Sequence, residues 1–255
     1  MKIVIDTTKS IEENATRYYD KSKKAKRKFE GLKKAIDVSK KKIAKVDKEV
    51  NKEKKVYKEI PEKKWYMKFR WFISTDGFLC FGGRDAMTND IVIKKHTEKD
   101  DLVLHTELPG SPFFVIKSEG KKIPENTINE AAIATASYSR AWRDGFTSSE
   151  VYVIKPEQVK KELGLPKGTF MIHGQRKYIT AVVKLYIGIN KDGYIECSPV
   201  KMEWELVPEG KKTDTAKKLQ YFIKEKYEMN YPLDDIVRVM PGDCSIKKYD
   251  LKMFK

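Results

Sequence analysis

The chain has 255 residues, 40% of them apolar and 35% charged, with a formal net charge of +16. That apolar share suffices for a real core in one or two domains. The charge sits unevenly: residues 1–64 carry 22 Lys and Arg against 11 Asp and Glu, and residues 65–255 carry 31 against 26. An arm this basic points to a polyanionic partner, because cations raise both affinity and encounter rate for phosphate chains. A solvated, Lys-rich helix is the plainer alternative. The three cysteines, Cys80, Cys197 and Cys244, are widely spaced and form no CxxC pair. That pattern indicates neither a zinc finger nor a disulfide framework and fits a reducing, cytoplasmic setting. The opening Met1–Asp6 turns polar too soon for a signal peptide. No apolar run approaches the roughly 20 residues that span a bilayer, so no membrane partner is expected.

In chain order, residues 3–6 read as a short extended segment. Ser10 with Glu13 three residues on makes a capping box, and no Pro follows until Pro61. The helix is therefore predicted to run to about Lys58. Phe29, Ile36, Ile43, Val50 and Tyr57 recur every seven residues, with Tyr18, Ala25, Leu32 and Val46 at the second seam position. Heptads sustained in this way predict a coiled coil. A lone helix with one apolar seam needs a facing surface, and the sequence holds no second long heptad segment, so the seam is covered by another copy of the chain, another protein or a part of the polypeptide missing here; a homodimer through this helix is the expectation. Lys23, Lys24, Lys26 and Arg27 lie on its polar face.

After Pro61 the pattern switches to period two. Tyr66–Ile73 and Phe78–Phe81 read as strands around a Thr75-Asp76-Gly77 hairpin turn. Asp90–His96, Asp101–Leu108 and Phe113–Lys117 read as further strands. Thr127 is predicted to cap a helix with a small-residue face at Ala131, Ala132, Ala134 and Ala136, ending near Gly145. Val151–Ile154, Phe170–Thr180, a hairpin around Asn190–Gly193 and Met202–Val207 continue the β content. Helices follow over Thr213–Tyr227 and Pro232–Val239, then an extended Ile246–Phe254. The expected architecture is α+β: a long N-terminal coiled-coil helix over 1–62, then a mixed domain of mainly antiparallel strands over 63–183, extended by 184–255.

Chemistry is harder to place. His105-Thr-Glu107 lacks the paired cysteines of a zinc deaminase, so no metal or cofactor is expected. His105 is predicted to sit on a strand and either to contact RNA, to bond to Asp101 or to be wholly structural. Gly82–Asp85 is read as a link between two strands, with Arg84 offering a bidentate phosphate contact or pairing with Asp85. Pro109-Gly110-Ser111 reads as a turn whose amides can face a phosphate. Asp85, Asp90, Asp101 and Glu107 could gather around Mg²⁺ or simply be solvated strand ends. Trp65, Tyr66, Trp71 and Phe78 with Lys68 and Arg70 suggest either a basic-aromatic face or core.

The segments Trp71–Phe78, Gly82–Asp85 and Leu104–Ser111 together resemble the C-terminal domain of the NFACT proteins. That family includes the fibronectin-binding-protein-A-like bacterial members and the eukaryotic nuclear export mediator factor. The likeness extends to Ile3–Asp6, Glu13–Ala15 and Tyr18-Tyr19 ahead of the domain. It also takes in Asn89, Asp101 and Ser111, then Ser137–Trp142 with Arg140, and Gly168–Gly174. The region after about Lys184 is similar to an archaeal-type extension. The resemblance implies a non-catalytic, RNA-binding module acting in ribosome-associated quality control, on large subunits carrying peptidyl-tRNA, with rRNA and tRNA as partners. The family's N-terminal domain and first coil helix have no counterpart here, so the chain reads as a C-terminal fragment or a stand-alone short form. It adds Asn89, Ser111 and Arg140 to Lys23, Lys24, Lys26, Arg27, Arg70, Arg84 and His105 as candidate RNA contacts. The competing expectation is an RNA-modifying or RNA-processing enzyme that uses His105 with Arg84 and Asp101. An enzyme should gather pKa-perturbed groups in one cleft, whereas a binder needs a broad basic surface.

Overall fold

A computed structural model describes residues 4–51 and 57–247, with side chains throughout except at residues 43–51. The chain divides into two compact units, Met1–Val56 and Tyr57–Lys255.

The first unit is one helix, α1 (Ile11–Asn51), of 41 residues, which at 1.5 Å per residue extends about 60 Å. Its capping box forms: the Glu13 amide donates to Ser10 Oγ at 3.1 Å and the Ser10 amide to Glu13 Oε2 at 3.0 Å. Residues 4–6 are irregular rather than extended, and they fold back on the helix. Asn14, buried at 6% exposure, accepts from the Asp6 amide and donates to the Asp6 and Ser10 carbonyls. The Tyr18 hydroxyl takes up both backbone groups of Val4. Phe29, Leu32 and Ile36 of the heptad seam are exposed. The side chains of Ile43, Val46 and Val50 lie outside the described residues. Tyr57 and Lys58 do not continue the helix. The Lys58 amide donates to Glu228 O at 2.8 Å, and the Lys224 ammonium lies over the Tyr57 ring, so both belong to the second unit.

That unit is α+β, and its named strands all pair antiparallel. A six-stranded sheet has the order β1-β2-β4-β3-β5-β8. Its strands are β1 (Arg70–Ile73), β2 (Leu79–Gly82), β3 (Leu102–Thr106), β4 (Phe114–Ile116), β5 (Ser148–Ile154) and β8 (Lys177–Val182). The short pair β6 (Val159–Lys160) and β7 (Met171–Ile172) stands apart from it. One face packs Phe72, Leu104, Phe114 and Val151 under α3 (Glu125–Ser137), whose alanines permit close approach. The other face packs Phe69, Phe81, Val103 and Val115 against Val92 of α2 (Ala86–His96). A second sheet, β10-β9-β11-β12, is built from β9 (Leu185–Ile189), β10 (Ile195–Ser198), β11 (Trp204–Val207) and β12 (Ser245–Ile246). Its core takes in α5 (Lys212–Tyr227), α6 (Leu233–Val239) and Trp142 of α4 (Arg140–Arg143). β10 runs beside β1, where the Ile73 amide and the Asn190 side chain both donate to Glu196. Burial pushes the Glu196 carboxyl up to about 7.

Several predicted elements change. Trp65–Lys68 is a 3₁₀ turn ahead of β1, not part of the strand. Asp90–His96 is helical: Asp85 caps α2 with Thr88 in a reciprocal box, and that cap overrides the β-branched run Ile91-Val92-Ile93. Gly82–Asp85 thus links a strand to a helix. Pro124, not Thr127, precedes α3. Thr127 sits in the first turn and donates to Asp76 at 2.8 Å. Ser139 ends that helical stretch by capping α4. Of the predicted Ile246–Phe254 segment only Ile246 and Lys247 are described. Cys80, Cys197 and Cys244 are free and buried, and burial pushes the Cys197 and Cys244 thiols up to about 12.

Candidate functional site

A cleft of about 430 Å³ opens in the second unit, where the start of α2 meets the loop after β3 and the Lys167–Phe170 turn. It falls within the range usual for small-ligand sites. Its walls differ in character.

One wall is cationic. Arg70 projects from β1 and donates through Nη1 to the carbonyls of Arg238 at 3.2 Å and Met240 at 2.6 Å. Its guanidinium lies 4.6 Å over the Tyr138 ring. Arg84 donates to Lys68 O through Nε and to Phe69 O through Nη2, both at 3.0 Å, and to Arg238 O through Nη1. Behind them Lys212 reaches Met240 O at 3.3 Å. Three cations thus converge on the last carbonyls of α6, the negative end of its dipole. Among the described residues none of the three has a carboxylate ion pair. Burial, with Arg70 nearby, lowers the Arg84 pKa to about 10, and the same two causes lower that of Lys212.

The other wall is aromatic and neutral. The His105 imidazole stacks on Phe113 with centroids 4.1 Å apart, and its Nδ1 lies 3.1 Å from the Tyr152 hydroxyl. Phe170 meets Phe113 edge-on at 5.3 Å. Burial pushes the His105 pKa down to about 4, so the ring is neutral at physiological pH. Close backbone contacts hold the rim. A Cβ at Gly83 would fall 2.0 Å from Asn89 Oδ1, and one at Gly168 (φ +76°) would fall 2.5 Å from Ala86 Cα.

Five of the sequence candidates therefore share the cleft: Arg70, Arg84, Asn89, His105 and Ser111. Two of them are structural in detail. Asn89 accepts from the Phe113 amide at 3.1 Å, and Ser111 is 2% exposed. Arg140 is exposed on α4 and does not line the cleft; Lys23, Lys24, Lys26 and Arg27 are exposed on α1. Arg84 pairs with carbonyls rather than with Asp85, whose carboxylate caps α2. His105 bonds to Tyr152, not Asp101. Asp101 is buried elsewhere, accepting from Lys117 at 2.8 Å and from the Ser118 amide at 3.0 Å. The trio His105, Arg84 and Asp101 does not come together. Nor do the four acids: Asp90 pairs with Lys94, and Glu107 with Arg176. Among the described residues no group of three or more His, Cys, Asp or Glu can hold a metal ion. Of the candidate basic-aromatic face, Tyr66 and Trp71 are buried, while Trp65 is half exposed and stacks on His96.

Sequence reasoning missed Tyr138, Tyr152 and Lys167 of the cleft and Lys212 behind it. The one signal available was that Ser137–Trp142 and Gly168–Gly174, both quoted for the family likeness, come to the same place.

Residues 68–174 match the NFACT protein RNA binding domain. The archaeal Rqc2 homolog aRqcH of Methanocaldococcus jannaschii is 40% identical over 206 residues, which is 73% of this chain and 30% of that protein. The ribosome quality control complex subunit NEMF homolog of Drosophila melanogaster is 31% identical over 208 residues, 75% of this chain and 20% of its own length. NEMF of Homo sapiens is 34% identical over 181 residues, 65% and 16%. This chain therefore spans less than a third of each of these relatives. Among solved structures, the C-terminal of the fibronectin/fibrinogen-binding protein from Streptococcus suis shares 23% identity at a TM-score of 0.41, covering 69% of this chain and 76% of that one. A match to the family's RNA-binding domain, together with relatives of 31–40% identity over about three quarters of the chain, settles the assignment: the chain belongs to the NFACT family and is of archaeal type.

Proposed function

We propose that this chain is an RNA-binding part of a ribosome quality control factor, engaging the rRNA or tRNA of large subunits that carry peptidyl-tRNA. The observation that carries this reading is the group Arg70, Arg84 and Lys212, three cations half-buried together with no carboxylate ion pair among the described residues. Like charges held close repel unless an anion joins them, and a phosphodiester supplies one. Residues 63–183 serve as the binding domain and 184–255 as its extension, since α6 provides the carbonyls that fix the arginines. Lys23, Lys24, Lys26 and Arg27 on α1, with Arg140, add phosphate contacts that carry affinity without sequence preference. The names of the Drosophila and human relatives, which place those proteins in the ribosome quality control complex, support the same reading.

The exposed seam residues Phe29, Leu32 and Ile36 pair with a second copy in antiparallel fashion. That arrangement keeps the two Lys-rich segments 21–28 apart and buries each large apolar side chain for ~1.5–3 kcal/mol. Sedimentation of the intact chain beside Ile36→Asp tests the pairing; two monomers at tens of micromolar would refute it. For RNA engagement, the test is chemical protection on purified large subunits. Discrete protected rRNA or tRNA nucleotides are expected, and an unchanged pattern at saturating protein rejects the reading.

A further inference from the structure

The cleft joins a cationic floor to a neutral aromatic wall, and that division of labour matches one kind of ligand. A phosphate needs fixed donors and positive charge, while a base needs flat, uncharged surface from which water is excluded. Arg70 and Arg84 are fixed by backbone carbonyls, so little side-chain freedom is lost when an anion joins them. Two of Arg84's five N–H groups remain after its three carbonyl bonds. Lys167, exposed at the rim, adds a mobile third cation. Among the described residues Asp85 is the one acid lining the cleft, and its Oδ1 accepts from the Thr88 amide and hydroxyl. Opposite, the stacked His105–Phe113 pair and Phe170 carry no charge at neutral pH. A volume of about 430 Å³ admits one nucleotide and is too small for a duplex.

We propose that this cleft seats a single unpaired nucleotide of RNA, its phosphate on Arg70, Arg84 and Lys167 and its base against His105, Phe113 and Phe170. The inference rests on the RNA-binding reading above and narrows it, since a blunt helix can bind the basic surfaces but cannot enter the cleft.

The test compares two RNA hairpins of the same stem, one blunt and one with a two-nucleotide 3′ overhang, by fluorescence anisotropy with the full chain. Tighter binding of the overhang by at least tenfold is expected. Uridine or adenosine 5′-monophosphate should erase that preference while leaving blunt-hairpin binding unchanged. Lys167→Glu, at an exposed position outside the core, should reduce the preference to under threefold. In parallel, titration with either monophosphate should shift the backbone amide resonances of Ala86, Gly110, Gly168 and Thr169 in ¹⁵N spectra, more strongly than inorganic phosphate does. Equal affinity for both hairpins with no amide shifts overturns the nucleotide seat yet leaves general RNA binding standing. Failure of both hairpins to bind overturns both. Monophosphate binding that the overhang does not compete with assigns the cleft to a free nucleotide and overturns the RNA proposal. Equal shifts with inorganic phosphate remove the base from it.

Discussion

The two basic regions of this chain hold their charge in opposite ways. On α1, Lys23, Lys24 and Lys26 stand exposed to water, each screened over about 8–10 Å of salt solution. In the cleft, Arg70 and Arg84 are clamped by carbonyls of α6 and of the Lys68–Phe69 segment, and crowd each other in a partly dehydrated wall. Solvated charge gives reach and strength that any polyanion can use. Clamped charge gives position, at the cost of local electrostatic strain. Under the proposed RNA-binding role, the solvated kind would find a large RNA and the clamped kind would settle on one feature of it.

The comparison breaks first at Arg84. Were it a simple surface contact, Arg84→Ala would weaken RNA binding and leave stability alone. Its ties to three carbonyls predict otherwise. Leaving them without a donor in a half-buried site should destabilise the domain by about 4 kcal/mol, read as a lowered denaturant midpoint at unchanged m-value. An equally stable variant would return Arg84 to the surface class.

Next in size is the pH response of a charge kept inside the fold. Glu196 has a folded pKa near 7, above its unfolded value of 4.5, so the native state holds the extra proton. Its contribution is unpenalised below about pH 4.5 and costs stability progressively as pH rises through 7, up to about 3 kcal/mol. His105 runs the other way. Its folded pKa near 4 lies below the unfolded 6.5, so stability is full above 6.5 and is lost as pH falls toward 4. Between those limits the two slopes oppose. Glu196→Gln should therefore be more stable than wild type at pH 8 and show a steeper acid loss below 6.5. Thermal melts across pH 4–8 check this, and parallel curves for the two proteins would contradict it.

The solvated helix is addressed by salt. With about five phosphates neutralised, log affinity against log salt should slope by roughly −3.5 to −4.5. Converting Lys23, Lys24, Lys26 and Arg27 to Gln should flatten that slope by about 3 and lower affinity for all RNAs alike by about two orders of magnitude at low salt. A preserved slope would move the electrostatic contact off the helix. The smallest effect expected is at the helix start. Tyr18→Phe removes the hydroxyl that holds both Val4 backbone groups and should speed amide exchange at Val4–Asp6, with a local loss of about 1 kcal/mol. Unchanged exchange would show that Asn14 suffices.

What could be read from the residues divides along the same line. The long helix was legible because its signals are local: a capping box, an uninterrupted run, heptads. Its end was not, because Tyr57 keeps the seven-residue spacing yet packs under Lys224 from α5. The α+β class and the Thr75–Gly77 and Asn190–Gly193 turns followed from period two and turn chemistry. Asp90–His96 reads as a strand because Ile91-Val92-Ile93 favours one, while the deciding cap at Asp85 and Thr88 lies outside that run. Arg70, Arg84 and His105 could be named in advance, but their roles could not. Arg70 meets Met240 across 170 positions, and no spacing in the sequence encodes that meeting.

The three thiols give the molecule a clock. A thiol must ionise and be reached before it reacts, and Cys80, Cys197 and Cys244 are buried, with the pKa raised at all three. Alkylation of the native protein is therefore gated by opening, and its rate under a mild reagent measures how often each region comes apart. Cys80 lies on β2 of the six-stranded sheet, while Cys197 on β10 and Cys244 ahead of β12 belong to the four-stranded one. Mass spectrometry of partly alkylated protein would time the two sheets separately, without introducing a single probe.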